Sequence, residues 1–219
     1  MQIMTRWMAA LLLITGPAMA IEEPSFEVVR KDGAMEIRKY APFIVAQTWV
    51  QGDMDEASSR GFRLIADYIF GNNVAVGERT AAKIAMTAPV TMAPEAASQK
   101  IAMTAPVTMA PQAAASAPGA AQRWRVHFVM PRQYTLATLP KPNNPEVQLE
   151  EVPTKWFAVL RYSGLNTNAR VQQRNEEAVA WVVAQKLTPL GPPQLARYDP
   201  PWTLPPFRRN EVLVEIAAP

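Results

Sequence analysis

The 219-residue chain contains no cysteine. That excludes disulfides, thiolate zinc sites, iron–sulfur clusters, cysteine nucleophiles and a cysteine-borne lipid anchor. It contains one histidine, His127. No multi-histidine metal site can form from a single imidazole, and any Ser-His-Asp arrangement would depend on that one ring. Glycine is also scarce, at nine residues. No phosphate-cradling glycine loop and no Gly-x-Ser-x-Gly elbow is present. The net charge of +3 is too small for a nucleic-acid footprint. What remains is a globular composition, 49% apolar and 19% charged, able to build a core without covalent staples.

Residues 1–20 (MQIMTRWMAALLLITGPAMA) combine a positive start at Arg6, an apolar stretch from Trp7 to Ile14 and a small-x-small end at Ala18-Met19-Ala20. This is the layout of a cleavable signal peptide, and the apolar run is short for a bilayer span. The expectation is a single mature domain over 21–219, periplasmic or secreted, with no membrane contact after cleavage.

The mature part alternates strands with two helices. Ser25–Lys31 and Met35–Tyr40 alternate apolar and polar residues around an Asp32-Gly33 turn signal, and Phe43–Gln51 is a third strand. Asp53 caps a helix with Glu56 three residues on. Ala57, Gly61, Phe62, Ile65, Tyr68 and Ile69 form its apolar stripe, and Gly71 ends it. Arg123–Met130 is a strand with Trp124, Val126, Phe128 and Met130 on one face and Arg125, His127 and Val129 on the other. With the aromatic face turned to the core, His127 is expected at solvent or a rim. Lys155–Tyr162 is another strand. Asn168 caps a second helix running to about Leu187, with Val171, Ala178, Val179, Val182 and Val183 as its apolar set. Asn210–Ile216 closes the chain as a strand. This order predicts an α+β domain with both helices laid on an antiparallel sheet.

KIAMTAPVTMAP occurs twice, at 83–94 and 100–111, within a duplicated region taken as 83–116. Both copies alternate at strand period. Pro89 and Pro106 lack a ladder donor, so each copy is expected at an edge or bulge, the two pairing as a hairpin. The methionines could line a wall for a flat ligand or fill the sheet edge. Residues 112–122 read as a flexible low-complexity loop. Glu150-Glu151 and Glu176-Glu177 are adjacent, so each pair diverges and neither forms a carboxylate dyad. The segment 197–211 (RYDPPWTLPPFRRNE) carries four prolines with Tyr198, Trp202 and Phe207 beside Arg208 and Arg209. Stiffened aromatics next to guanidinium groups suit a flat apolar ligand bearing carboxylates, and equally a rigid loop closing the end of a barrel.

MEIRKY (35–40), KIAMTAPV (83–90 and 100–107), FVMP (128–131) and RYDPPWTLPPFRRNEV (197–212) together resemble the SOUL family of heme-binding proteins over about 23 to 216. The resemblance implies a distorted antiparallel β-barrel, or a pair of βαββ-like halves, flanked by two helices. It implies non-covalent binding of heme or a related tetrapyrrole on a surface along the first helix and the Tyr-Asp-Pro-Pro loop. Carried onto this sequence, that surface includes Phe62, Ala66, Tyr198 and Trp202, with Phe207 and Arg208 beside them. Asp67 on the same helix would repel propionates unless Arg60 or Arg63 offsets it. His127 is the one possible imidazole ligand for iron and Tyr198 the other conceivable ligand. The resulting expectation is a non-catalytic carrier or buffer. The alternative is a small-molecule-binding or hydrolase-like enzyme of the related effector-binding fold, with Tyr198 and Asp199 or Glu211 as acid–base groups. A third reading is an interaction module pairing through the doubled edge strand.

Overall fold

The computed structural model describes residues 22–77, 80–94 and 122–219. The expected signal peptide, the second copy of the repeat and all but the last residue of the 112–122 loop lie outside the described residues.

Strands β1 (Phe26–Asp32) and β2 (Met35–Tyr40) form a hairpin. Asp32 pairs with Met35, so the two-residue loop is Gly33-Ala34, one position later than the sequence signal. Gly33 takes φ +58, which suits its lack of a Cβ. β3 (Phe43–Gln51) leads into helix α1 (Met54–Phe70). The Asp53 carboxylate accepts the Asp55 and Glu56 N–H groups at 2.9 and 2.8 Å, as the capping signal predicts. Gly71 closes the helix, its N–H turned onto the Asp67 and Tyr68 carbonyls.

The two-residue strand β4 (Asn73–Val74) later pairs with β7 (Lys141–Pro142). β5 (Val90–Pro94), β6 (Arg123–Val129), β8 (Gln148–Val152) and β9 (Lys155–Tyr162) precede helix α2 (Asn168–Ala184). Thr167, not Asn168, caps α2, its hydroxyl accepting the Arg170 N–H. β10 (Gln194–Arg197) and β11 (Asn210–Ile216) complete the chain.

Nine strands form one curled antiparallel sheet in the order β1-β2-β9-β11-β10-β5-β6-β3-β8. The middle of that order is a pair of βαββ units. β3-α1-β5-β6 lays its strands as β5-β6-β3, and β9-α2-β10-β11 lays its strands as β9-β11-β10. The two units meet where β10 pairs with β5. α1 lies over β6 and β3, and α2 over β9 and β11. The main core fills the space between helices and sheet, with Ile65, Ile69, Val126 and Phe128 under α1 and Ala158, Leu160, Val182 and Val212 under α2. Gly61 lets α1 approach β6 closely: a Cβ there would fall 2.6 Å from Val126 Cγ2.

Three expectations need correction. The first repeat copy does not run at an edge: Val90–Pro94 is held on both sides, by β10 and β6. Val183 is exposed and lies off the buried stripe of α2. His127 is buried, with 7% of its surface exposed. It does face away from Trp124 and Phe128, but the sheet curls, so its second face is covered as well.

Candidate functional site

One row of cross-strand partners organises the helix-bearing face. It runs Tyr162, Asn210, Arg197, Val90, Phe128, Ala46 across β9, β11, β10, β5, β6 and β3. Phe62 of α1 packs on Phe128 with ring centroids 5.4 Å apart. Arg174 of α2 stands over Tyr162, 5.7 Å from the ring centroid. Neither helix lies over the two central strands. Arg197 and Val90, both partly buried, therefore form the floor between α1 and α2. Arg197 Nη1 donates to Ser58 Oγ at 3.0 Å, tying that floor to α1 one turn before Phe62.

The proline-rich loop leaves this floor at residue 198. Trp202 is 82% exposed, Phe207 75% and Leu204 64%; Phe62 on α1 is 41% exposed. Large apolar side chains concentrated on one stretch of surface in this way mark a binding face more often than chance scatter does. A short 3-10 turn, Pro205–Phe207, holds Phe207 outward. Arg208 braces the loop from within, its Nε donating to the Thr203 carbonyl at 2.7 Å and its Nη2 to that of Pro201. Ala66 is buried and offers little surface. Asp67 is exposed near the far end of α1 and accepts from Asn72 Nδ2. It lies nine residues beyond Ser58, about 13 Å along the axis, which removes it from the charged floor.

Tyr198 points the other way. Its hydroxyl donates to Glu211 Oε2 at 2.6 Å on the opposite face of the sheet. Glu211 has no exposed surface. It also accepts from Arg38 Nη1 and Nη2 at 2.9 and 3.1 Å and from Arg209 Nε at 3.0 Å. Arg209 lies 3.7 Å from the Tyr198 ring centroid and pairs with Glu23 at 2.8 Å. Burial would lower the Arg38 pKa, but the Glu211 carboxylate outweighs it and holds the guanidinium above its ordinary value. Burial, then the Glu211 charge, pushes the Tyr198 phenol well up, so it keeps its proton. Asp199 accepts the Arg209 N–H at 2.6 Å. The structure thus brings together the acid–base candidates Tyr198 and Glu211, but inside a saturated network that ties the N-terminal segment to β2 and β11. Each Glu211 oxygen is already engaged, and Tyr198 is not presented to the surface that carries Trp202.

His127 is likewise remote. It lies on the inner face of the curl, cross-strand from Thr91 and Gln47. Burial, then Arg125 and Lys155, pushes its pKa down to about 3. The ring is neutral at physiological pH, and its Nδ1 has no partner. Among the described residues no group of three or more His, Asp or Glu could hold a metal ion. A hollow of about 100 Å³ beneath residues 22–25 and Pro42 is well below the roughly 300 Å³ at which ligand pockets begin. A broad hollow on the outer side of α1 is lined by polar side chains only, Gln51, Asp55, Glu56, Ser59, Arg60 and Arg63. The exposed apolar side chains of the 198–208 loop, with Phe62 of α1, offer apolar surface to a large planar ligand.

The paired βαββ units place the chain in a class of curled half-barrels. Its fold is similar to the crystal structure of the EcmrR C-terminal domain (TM-score 0.56, 9% identity, 84% of this chain and 98% of that one). It is also similar to a hydrolase from Listeria innocua (TM-score 0.51, 11% identity, 86% and 94% covered). At these identities the likeness is one of fold alone. No curated protein matches the sequence. The model of the SOUL heme-binding protein family matches residues 21–98 and 91–215, and the chain belongs to that family. The two matches overlap at 91–98, where the first copy of the repeat ends.

Sequence reasoning missed Arg197, Ser58 and Val90. Arg197 stood in plain view at the head of the aromatic segment, but its position under the helices depends on β10 pairing with β5, some hundred residues earlier, which no local pattern announces.

Proposed function

We propose that the mature chain is a non-catalytic binder of heme or a related tetrapyrrole, a carrier or buffer working in the periplasm or outside the cell. The ligand rests on the face formed by Phe62, Trp202, Leu204 and Phe207. Family membership supports the ligand class. The single observation that supports the location is the exposure of Trp202 and Phe207 on a braced loop that leaves the sheet at Arg197, whose guanidinium is tied to α1 one turn before Phe62. The residues present fit a tetrapyrrole held by apolar contact and by charge. They do not offer imidazole ligation, because His127 is buried on the other face, and Tyr198 has its hydroxyl committed to Glu211. Bound heme would supply its flat ring and its acidic propionates. The chain's own part is to bury one ring face from water and to neutralise the acids.

Titration of the mature protein with hemin tests this. A saturable one-to-one Soret shift at low micromolar concentration is expected, and His127→Ala should bind nearly as well as the wild type. Absence of a saturable shift would refute the reading. N-terminal sequencing of protein recovered from the host tests export, with Ile21 expected first.

A further inference from the structure

We propose that Arg197 anchors a carboxylate of the bound ligand, so that the site selects anionic tetrapyrroles over their uncharged esters. This rests on the ligand reading above. Arg197 occupies the centre of the floor between α1 and α2, two partners along the row from the Phe128–Phe62 stack. Its Nη1 is engaged by a neutral hydroxyl, Ser58 Oγ, and its Nε is buried with no partner. Among the described residues no carboxylate lies within ion-pair distance of it. Three other partly or fully buried arginines contrast sharply, whereas Arg125, on the opposite face of the sheet, has its pKa drawn down by burial as Arg197 does. Arg38 is bound bidentately by Glu211, and Arg209 is shared between Glu211 and Glu23. Arg208 has turned two donors onto its own loop.

A half-buried guanidinium with an unmet donor and no counter-ion is unfavourable in the free protein, since it has lost water without gaining a partner. Burial accordingly draws its pKa below the ordinary arginine value; Asp55 and Tyr162 oppose this and the nearby Arg208 cation adds to it. An incoming carboxylate would supply the missing counter-charge at the guanidinium, where charge-assisted hydrogen bonds are the strong ones. The cation adjoins the apolar face, since the loop bearing Trp202 and Phe207 starts at the next residue. Apolar surface for a ring and an unmatched cation for its acidic edge therefore lie side by side.

The test compares hemin with hemin dimethyl ester on wild type, Arg197→Met and Arg197→Lys, by Soret titration with thermal melts of each free protein. In the wild type the diester should bind about tenfold or more weaker than hemin, the worth of a charge-assisted hydrogen bond. Arg197→Met should weaken hemin by a similar factor and leave the diester unchanged, and Arg197→Lys should recover part of the loss. The Arg197→Met melt should stay level or rise, because an unpaired buried charge has been removed. Equal loss for both ligands, or a lowered melting temperature with unchanged hemin affinity, would assign Arg197 a structural role and overturn the anchor alone. No saturable binding of either ligand to the wild type would overturn the ligand reading and the anchor with it.

Discussion

Acidification should destabilise this protein through one residue. His127 has an ordinary pKa of 6.5, pushed down to about 3 by burial and by Arg125 and Lys155. Between these two values the unfolded chain binds a proton that the folded chain refuses. Stability therefore rises with pH across that window and is fully present above 6.5. Each pH unit below 6.5 removes about 1.4 kcal/mol. From pH 7.5 to pH 5 the loss is about 2 kcal/mol. That interval is chosen because the carboxylates with lowered pKa, Glu22 and Glu36, lose their contribution only as pH falls below the usual carboxylate range. Urea unfolding at the two pH values measures the difference. His127→Gln keeps a polar side chain at the site without a titrating group, and should lose no more than about 0.5 kcal/mol. Equal stability of the wild type at both pH values, or an equal loss in the variant, would refute the reasoning.

Glu211→Gln should cost about 3–5 kcal/mol in urea unfolding, because it strips the counter-charge from buried Arg38 and half-buried Arg209. Pairing it with Arg38→Met should recover much of that loss, since the stranded cation goes too. Gly61→Ala should cost about 1–3 kcal/mol despite alanine's better helix propensity, as the new methyl would collide with Val126. Trp202→Ala with Phe207→Ala should leave stability within about 0.5 kcal/mol, both rings being mostly exposed, and should weaken hemin binding severalfold by Soret titration.

Much of the fold was legible because it depends on local pattern. Met35–Tyr40, Phe43–Gln51, Lys155–Tyr162 and Asn210–Ile216 are strands with the boundaries their alternation suggests. Asp53 and Gly71 bound α1 as their chemistry requires. Non-local facts were not legible. β8 and β10 are short and weakly patterned (QLEEV and QLAR), and sheet pairing alone defines them. Alternation assigned His127 to the second face of its strand, but only the curl of nine strands shows that this face is also covered. The aromatic members of the candidate site were visible as a proline-stiffened cluster. The cation beneath them was not, because its exposure and missing counter-ion follow from how two βαββ units meet at β10 and β5.

The central claim concerns where the ligand sits, and paramagnetic broadening of the amide spectrum by ferric hemin tests that most directly. Signals of Phe62, Thr203, Phe207 and Arg208 should broaden first, while those of Gly33 and Glu151 stay sharp. Broadening centred on the inner face around His127, or spread evenly over the chain, would contradict the account.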